Sequence, residues 1–256
     1  MDSEITWSYE AGIKSEFFDR RLRINANAYF AETEGLQLAY STPGPIAGTT
    51  LSTQNNAGDI EAKGLEFELT ARLNSYVDVF ASLGLQDGEY TDVRAAAQSF
   101  CSNGGSLVNG GCVARPGTTS TYVNAIDIND TLSRFPEMNG NLGVNVRFPV
   151  GATGGEFRVT VEAQYTDDFF TTASNAMPNL QLVPNGPFVS PPTVYPTLAP
   201  SFTLLNVGIG YESEDGKWRA SLDCNNCADE EAVISVFNGL FFNDPRRINF
   251  GLNYKF

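Results

Sequence analysis

The strongest constraint on the fold is an alternation of apolar and polar residues that continues to the last position. It runs through Ile248, Asn249, Phe250, Gly251, Leu252, Asn253, Tyr254, Lys255 and Phe256. Successive side chains of a β-strand point to opposite faces of a sheet, so this segment predicts a strand with one apolar and one polar face. Both a sheet packed on a soluble core and a membrane-spanning strand fit this pattern.

The same alternation recurs along the chain. It is found at residues 22–30, 65–73, 77–86, 141–148, 157–165, 205–211 and 218–223, and a less regular run covers residues 7–15. With the terminal segment these make about nine predicted strands, so the predicted fold class is all-β and antiparallel. No apolar run approaches the roughly 18 residues of a transmembrane helix.

The predicted connections alternate between short and long. Short turns are predicted at residues 17–20, 74–75, 151–155 and 213–216, and long polar segments at 38–58, 91–137, 171–200 and 227–244. Short periplasmic turns and long extracellular loops are typical of an up-and-down β-barrel of the outer membrane. The pattern favours such a barrel. A passive porin-type barrel and a soluble β-sandwich binding module are the alternatives.

Charge and composition exclude several classes of function. The net charge is −14 and the chain has no histidine. Nucleic-acid binding requires clustered Lys and Arg, which this chain lacks. Catalysis by a Ser-His-Asp triad and metal binding by histidine are impossible within it. We therefore expect no enzymatic activity, no cofactor, no metal centre and no nucleic-acid partner.

Four cysteines form two close pairs. Cys101 and Cys112 flank a glycine-rich segment, and a disulfide between them is predicted for an oxidising compartment. Cys224 and Cys227 have the spacing of a redox motif, but the preceding residues alternate as a strand instead of leading into a helix. A second disulfide or two free thiols are the interpretations favoured for this pair.

Polar and aromatic residues of the 91–137 segment are candidates for ligand contact. The candidates are Tyr122, Asp127, Asn129 and Asp130. Asp127 and Asn129 have the spacing of calcium ligands, but no glycine turn or closing glutamate follows.

Aromatic residues also predict two interfacial rows. One comprises Tyr76, Phe148, Tyr211, Trp218, Tyr254 and Phe256, and the other Phe30, Tyr90, Tyr165, Phe169, Phe170 and Phe202.

Several stretches, taken in order, resemble the carboxy-terminal part of a TonB-dependent outer-membrane receptor. They lie at residues 4–14, 27–30, 56–68 (NAGDIEAKGLEFE), 204–211 (LLNVGIGY), 218–229 and 245–256. The resemblance implies import of a scarce nutrient, such as a siderophore, vitamin, metal complex or oligosaccharide, with energy transmitted by TonB. It also implies that the protein resides in the cell outer membrane, in contact with its lipid.

The same resemblance implies a barrel of about 22 strands around a plug domain. We therefore expect residues 1–256 to be the carboxy-terminal portion of the barrel, a fragment in which the plug domain, TonB box and signal peptide are absent. The implied partners are the plug, the TonB system and the barrel insertion machinery, which would recognise Tyr254 and Phe256. The residues expected to line the lumen and contact the plug are Glu66, Glu68, Arg72, Arg147, Arg158, Glu162 and Arg219.

Overall fold

The computed structural model describes most of the chain. The residues outside its description are 47–48, 99, 102–104, 109–110, 115, 118–121, 124–125, 152–153, 174–197 and 237–239. None of the described residues belongs to a helix that is long and apolar enough to cross a membrane.

Nine long strands of the described residues form one antiparallel sheet. In their order across the sheet they are β1 Ile5–Phe17, β2 Leu22–Pro43, β3 Thr50–Arg72, β4 Val77–Val93, β9 Met138–Pro149, β10 Glu156–Thr166, β13 Phe202–Glu212, β14 Trp218–Asn225 and β17 Arg247–Tyr254. Each strand pairs with the next long strand along the chain, as in an up-and-down meander. The predicted all-β antiparallel fold is confirmed.

In the described parts of the long connections, eight short strands pair two by two. They are β5 Phe100–Cys101, β6 Ser106–Val108, β7 Gly111–Val113, β8 Tyr122–Val123, β11 Phe169–Phe170, β12 Leu198–Ala199, β15 Val233–Val236 and β16 Leu240–Phe242. They pair as β5 with β8, β6 with β7, β11 with β12 and β15 with β16. The connections at this end of the sheet, called the outer end below, therefore have structure of their own.

The strand register collects the apolar side chains on one face. One row of directly paired residues crosses all nine strands and consists of Phe17, Leu22, Ala71, Val79, Val144, Val161, Val207, Cys224 and Ile248. This apolar face is open: Phe250 is 72% exposed and Leu142 60%. The row begins at the short-turn end of β1 and finishes near the outer end of β17, a stagger expected of the tilted strands of a barrel.

The opposite face is polar. A row of paired residues on that face consists of Arg72, Asp78, Asn145, Thr160, Gly208, Asp223 and Asn249. A soluble sandwich would bury its apolar face against a second sheet. Here the apolar face is exposed, and side chains of neighbouring strands form hydrogen bonds across the polar face. This is the arrangement of a barrel wall in lipid.

The predicted loop at residues 38–58 is largely strand. β2 continues to Pro43 and β3 begins at Thr50, so the hairpin extends well beyond the paired part of β1, which starts at Ile5. A bulge with Gly35 at φ 70° interrupts the register between Thr33 and Leu36. The prediction failed because this hairpin lies beyond the apolar band, where lipid no longer imposes an apolar alternation.

A small hydrophobic core lies at the outer end. It consists of Tyr40, Ala57, Tyr90, Val93, Ala97, Ile126 and Leu132, with Ile126 only 1% exposed. These residues join the extended β2–β3 hairpin to the end of β4 and to the segment that follows it. The 94–135 segment is therefore packed against the sheet, in the part of it that the structure describes.

Tyr90 was predicted to belong to the outer aromatic row, and that prediction is wrong. Tyr90 is paired with Ile60 and is 4% exposed in the outer core. Its position has the parity of Gly84 and Gln86, which lie on the polar face, and the sequence prediction overlooked this parity.

Candidate functional site

The candidate functional site is the polar face of the sheet. Side chains on neighbouring strands are hydrogen bonded across this face. Asn25 Nδ2 donates to Glu68 Oε2 at 2.8 Å and Thr160 Oγ1 contacts Asn145 Oδ1 at 2.6 Å. Glu66 accepts a longer bond of 3.4 Å from Asn27. These bonds stiffen a polar wall without covering it.

A groove of 880 Å³ runs along this wall on β1 to β4 and β9. Its lining includes the carboxylates Glu10, Glu66 and Glu68, the ammonium group of Lys14, and the amide of Asn139. With three carboxylates and one cation among these charged side chains, the groove favours cationic or hydrogen-bond-donating partners. Glu66 and Glu68 thus lie on the polar face of the sheet, as their alternation with apolar residues predicted.

Ion pairs occupy the short-turn end of the polar face. Asp78 pairs with Arg147 at 2.7 Å and with Arg72 at 3.1 Å. Glu212 pairs with Arg219 at 2.9 Å and Glu156 with Arg158 at 3.2 Å. The four arginines predicted to line the lumen therefore already have carboxylate partners in the sheet. The Asp78–Arg147 pair is the best shielded of these, with both side chains 23% exposed.

The candidates in the 91–137 segment are only partly brought together. The amide groups of Asn129 both donate to Asp127 Oδ1, at 2.9 and 2.8 Å, and the Asp127 backbone donates to Asp130 Oδ2 at 2.8 Å. One oxygen of each carboxylate thus closes a local turn. Tyr122 belongs to β8 and is paired with Cys101, but its side chain lies outside the described residues.

The cysteines lie at the outer end. Cys224 and Cys227 form a disulfide with their Cα atoms 5.6 Å apart. Cys101 is also in a disulfide, while the side chain of its predicted partner, Cys112, lies outside the described residues. The loop after β14 is further held by Asn226, a buried residue whose side chain donates to the carbonyls of Glu230 and Asp244.

The structural roles of two buried asparagines at this end, Asn226 and Asn56, were not predicted from the sequence. Asn226 adopts a left-handed backbone with φ 50°, and Asn56 is 2% exposed and donates to the carbonyl of Asp2. Asparagine is the non-glycine residue that best tolerates this backbone and bonds nearby main chain. The consecutive asparagines at 55–56 and 225–226 were the available sequence signal.

The aromatic residues at the end of the chain cluster at the short-turn end. Tyr254 lies 4.5 Å from Trp218 and 5.1 Å from Phe256, measured between ring centroids. Phe148 is also exposed on the apolar face, at 52%. This aromatic cluster lies where an interfacial row was predicted, at the edge of the apolar band.

Comparison with known proteins defines the family. Residues 1–227 match the family described as "TonB dependent receptor-like, beta-barrel". The chain therefore belongs to the TonB-dependent receptor β-barrel family. Its fold is an antiparallel transmembrane barrel of the outer membrane, of which nine strands are described here, with the short turns on the periplasmic side. The family comprises receptors and transporters, not enzymes.

Solved structures with the same fold include three outer-membrane receptors. The ferric yersiniabactin uptake receptor FyuA from Yersinia pestis has a TM-score of 0.67 and 14% identity, over 99% of this chain and 30% of that one. The siderophore receptor PiuA from Acinetobacter baumannii has a TM-score of 0.61 and 17% identity, over 98% and 28%. The ferric-catecholate import receptor Fiu from K12 E. coli has a TM-score of 0.62 and 14% identity, over 99% and 28%. The chain thus spans less than a third of each.

Proposed function

We propose that this chain is the carboxy-terminal barrel portion of an active transporter that imports a scarce nutrient with energy from TonB. The family match and the membership in an outer-membrane class support a receptor role. The observation that supports the proposal is the polar wall, a hydrogen-bonded, partly charged surface that would face the inside of the closed barrel. Such a surface can contact a hydrated cargo or a plug domain.

The remainder of the barrel is part of the same proposal. β1 and β17 are the two edges of the nine-stranded sheet. Unpaired backbone groups in lipid cost several kcal/mol each, so a membrane-embedded sheet of this kind needs partners along both edges. We infer that further strands pair with β1 and β17, and that the closed barrel holds a plug domain against the groove formed by Glu10, Glu66 and Glu68.

The cargo belongs to the class of small scarce nutrients. Ferric siderophores come first among the candidates because the structural neighbours named above are a ferric yersiniabactin receptor, a siderophore receptor and a ferric-catecholate receptor. A vitamin, another metal complex and an oligosaccharide complete the set. The outer connections and the upper polar wall would supply the contacts, with Tyr122, Asp127, Asn129 and Asp130 as the candidates from the sequence.

The ending of the chain has a proposed role in assembly. Phe256 is fully exposed and its ring meets Tyr254 edge-on. We propose that these two aromatic side chains are recognised by the barrel insertion machinery before the strand is placed in the membrane. Exposure on the periplasmic side makes them accessible to a soluble or membrane-bound partner there.

Uptake measurements test the transport proposal. Cells that express the complete receptor are given radiolabelled candidates, beginning with ferric siderophores, with TonB present or deleted. The proposal predicts saturable uptake of one candidate that is lost without TonB, and loss of uptake when the receptor gene is deleted. Uptake that is non-saturable and independent of TonB would instead support the passive porin-type alternative.

A further inference from the structure

The short turn between β1 and β2 differs from the other periplasmic turns. Its sequence is Phe17-Phe18-Asp19-Arg20-Arg21, with aromatic residues next to two arginines. Of the other three, one is the acidic turn Ser213-Glu214-Asp215-Gly216, and the turns at 74–75 and 151–155 carry no charged residue. A cationic and aromatic turn is notable in a chain whose net charge is −14.

The backbone of this turn is unusual as well. Phe18, Asp19 and Arg20 have φ values of 54°, 53° and 66°, so three consecutive non-glycine residues are left-handed. Each such residue costs of order 1 kcal/mol relative to an ordinary conformation. The turn is nevertheless defined by hydrogen bonds, since the Arg21 amide donates to the Phe18 carbonyl at 3.1 Å and the Arg72 amide to the Arg21 carbonyl at 2.7 Å.

This conformation leaves the aromatic side chains uncovered. Phe18 is 75% exposed, and Phe17 is exposed at the end of the apolar row that crosses the sheet. Leu73, which accepts a hydrogen bond from Arg21 at the neighbouring strand end, is 58% exposed. The turn therefore continues the lipid-facing surface to its periplasmic limit, the depth at which aromatic side chains favour the interface.

The guanidinium groups of Arg20 and Arg21 have N–H donors that can bind an anion. Arg21 Nη2 donates to the Leu73 carbonyl at 3.0 Å, which fixes the guanidinium beside the apolar surface. A guanidinium has five N–H groups, so most of its donors are available to an oxyanion. Arg20 lies 3.4 Å from Glu16 but its side chain is 85% exposed, and Glu16 is also paired with Arg23 at 2.8 Å. Asp19 is the remaining carboxylate of the turn.

We propose that Phe17, Phe18, Arg20, Arg21 and Leu73 form a binding patch for an anionic phospholipid of the periplasmic leaflet. The aromatic and leucine side chains contact the upper acyl chains, and the arginines bind the phosphate. Arg20 and Arg21 outnumber Asp19, the carboxylate of the turn, and Glu16 is also paired with Arg23 outside the patch, so the turn carries a net positive charge. The inference depends on the membrane placement of the sheet and is independent of what the receptor transports.

Photo-crosslinking tests the patch directly. The receptor is purified from outer membranes with benzoylphenylalanine at position 18 or, as the matched control, at position 214 in the acidic turn. It is then reconstituted into vesicles of phosphatidylcholine alone or mixed with phosphatidylglycerol, illuminated, and analysed by mass spectrometry. We expect lipid adducts at position 18 and not at 214, with phosphatidylglycerol enriched over its share of the mixture.

Charge variants test the binding of phosphate by the arginines separately from the contact of the apolar side chains with acyl chains. Arg20→Gln and Arg21→Gln should each reduce the phosphatidylglycerol enrichment by about fivefold at most, as expected for one basic side chain at an anionic surface. Arg219→Gln, on the polar face outside the patch, should leave the enrichment unchanged. Absence of adducts at position 18, equal adducts at 214, or equal capture of both lipids would overturn the proposal.

Discussion

Replacing Ile126 with alanine tests whether the outer segment is packed on the sheet. Ile126 is 1% exposed in the outer core, and truncating a buried isoleucine costs about 2–5 kcal/mol. Taking about 3 kcal/mol, the equilibrium for local opening of this segment should rise about 150-fold, because each 1.4 kcal/mol is a factor of ten. The increase in the opening equilibrium is smaller than this calculation gives once the segment is open most of the time.

Hydrogen exchange measures that opening. The amides of Arg94, Ala97 and Ile126 donate to the carbonyls of Ala57, Arg94 and Ala97, at 2.8, 2.8 and 2.9 Å. They become exchangeable only when the segment opens, provided that opening is fast and reversible. Their exchange should therefore accelerate by the same factor of about 150 in Ile126→Ala, while the amides of β17 keep their rates.

Ile128→Ala is the matched control, because Ile128 is two residues away and 46% exposed. Its truncation should change the exchange rates by about twofold or less, in line with surface substitutions. If both variants accelerated exchange equally, or if neither did, the outer core would not be the structure that holds this segment.

Three further predictions concern charge, titration and assembly. Asp78→Asn should lower stability by about 1–3 kcal/mol because it leaves the half-buried Arg147 without its carboxylate. Asp87→Asn removes only an exposed pair with Lys63 and should change stability much less. Thermal unfolding in detergent compares them, and equal shifts would contradict the ranking. Burial raises the pKa of Tyr90 from 10.0 to about 12, so the docked outer segment should lose stability as pH rises from 10 to 12, and Tyr90→Phe should remove that loss in a pH series of thermal unfolding in detergent. Phe256→Ser should reduce the amount of receptor assembled in outer membranes while leaving its synthesis unchanged, as measured by fractionation and immunoblotting, and normal assembly would count against the proposed role of the terminal aromatic residue.

The membrane-embedded part of the fold could be predicted from the sequence. Lipid lies on one face of every strand there, so each strand must alternate, and Ile248 to Phe256 shows the constraint in its simplest form. Short turns at 17–20, 74–75 and 213–216 were predicted for the same reason, since strands of fixed apolar length must end where the bilayer ends.

The outer end could not be predicted in the same way. In the hairpin from Leu36 to Ala57 the alternation is limited to Leu36, Leu38 and Tyr40, and the returning strand from Thr50 to Asn56 is mostly polar, which is too little to predict a strand pair. Tyr90 and Ile126 are buried by contacts between segments distant in sequence, which local patterns do not record. The polar face that forms the candidate site could be predicted, since Glu66 and Glu68 alternate with lipid-facing residues. The individual ligand contacts could not be predicted, because Asp127 and Asn129 form hydrogen bonds to each other within one turn.

The account depends most on the claim that the apolar face of β17 meets lipid and its polar face does not. Nitroxide labels placed one at a time from position 248 to 253 in the assembled receptor report this by electron paramagnetic resonance, through their accessibility to oxygen and to a water-soluble relaxation agent. We predict high oxygen accessibility at Ile248, Phe250 and Leu252, with the opposite preference at the intervening positions. A uniform profile, or one in which the intervening positions were exposed to lipid, would contradict the barrel assignment.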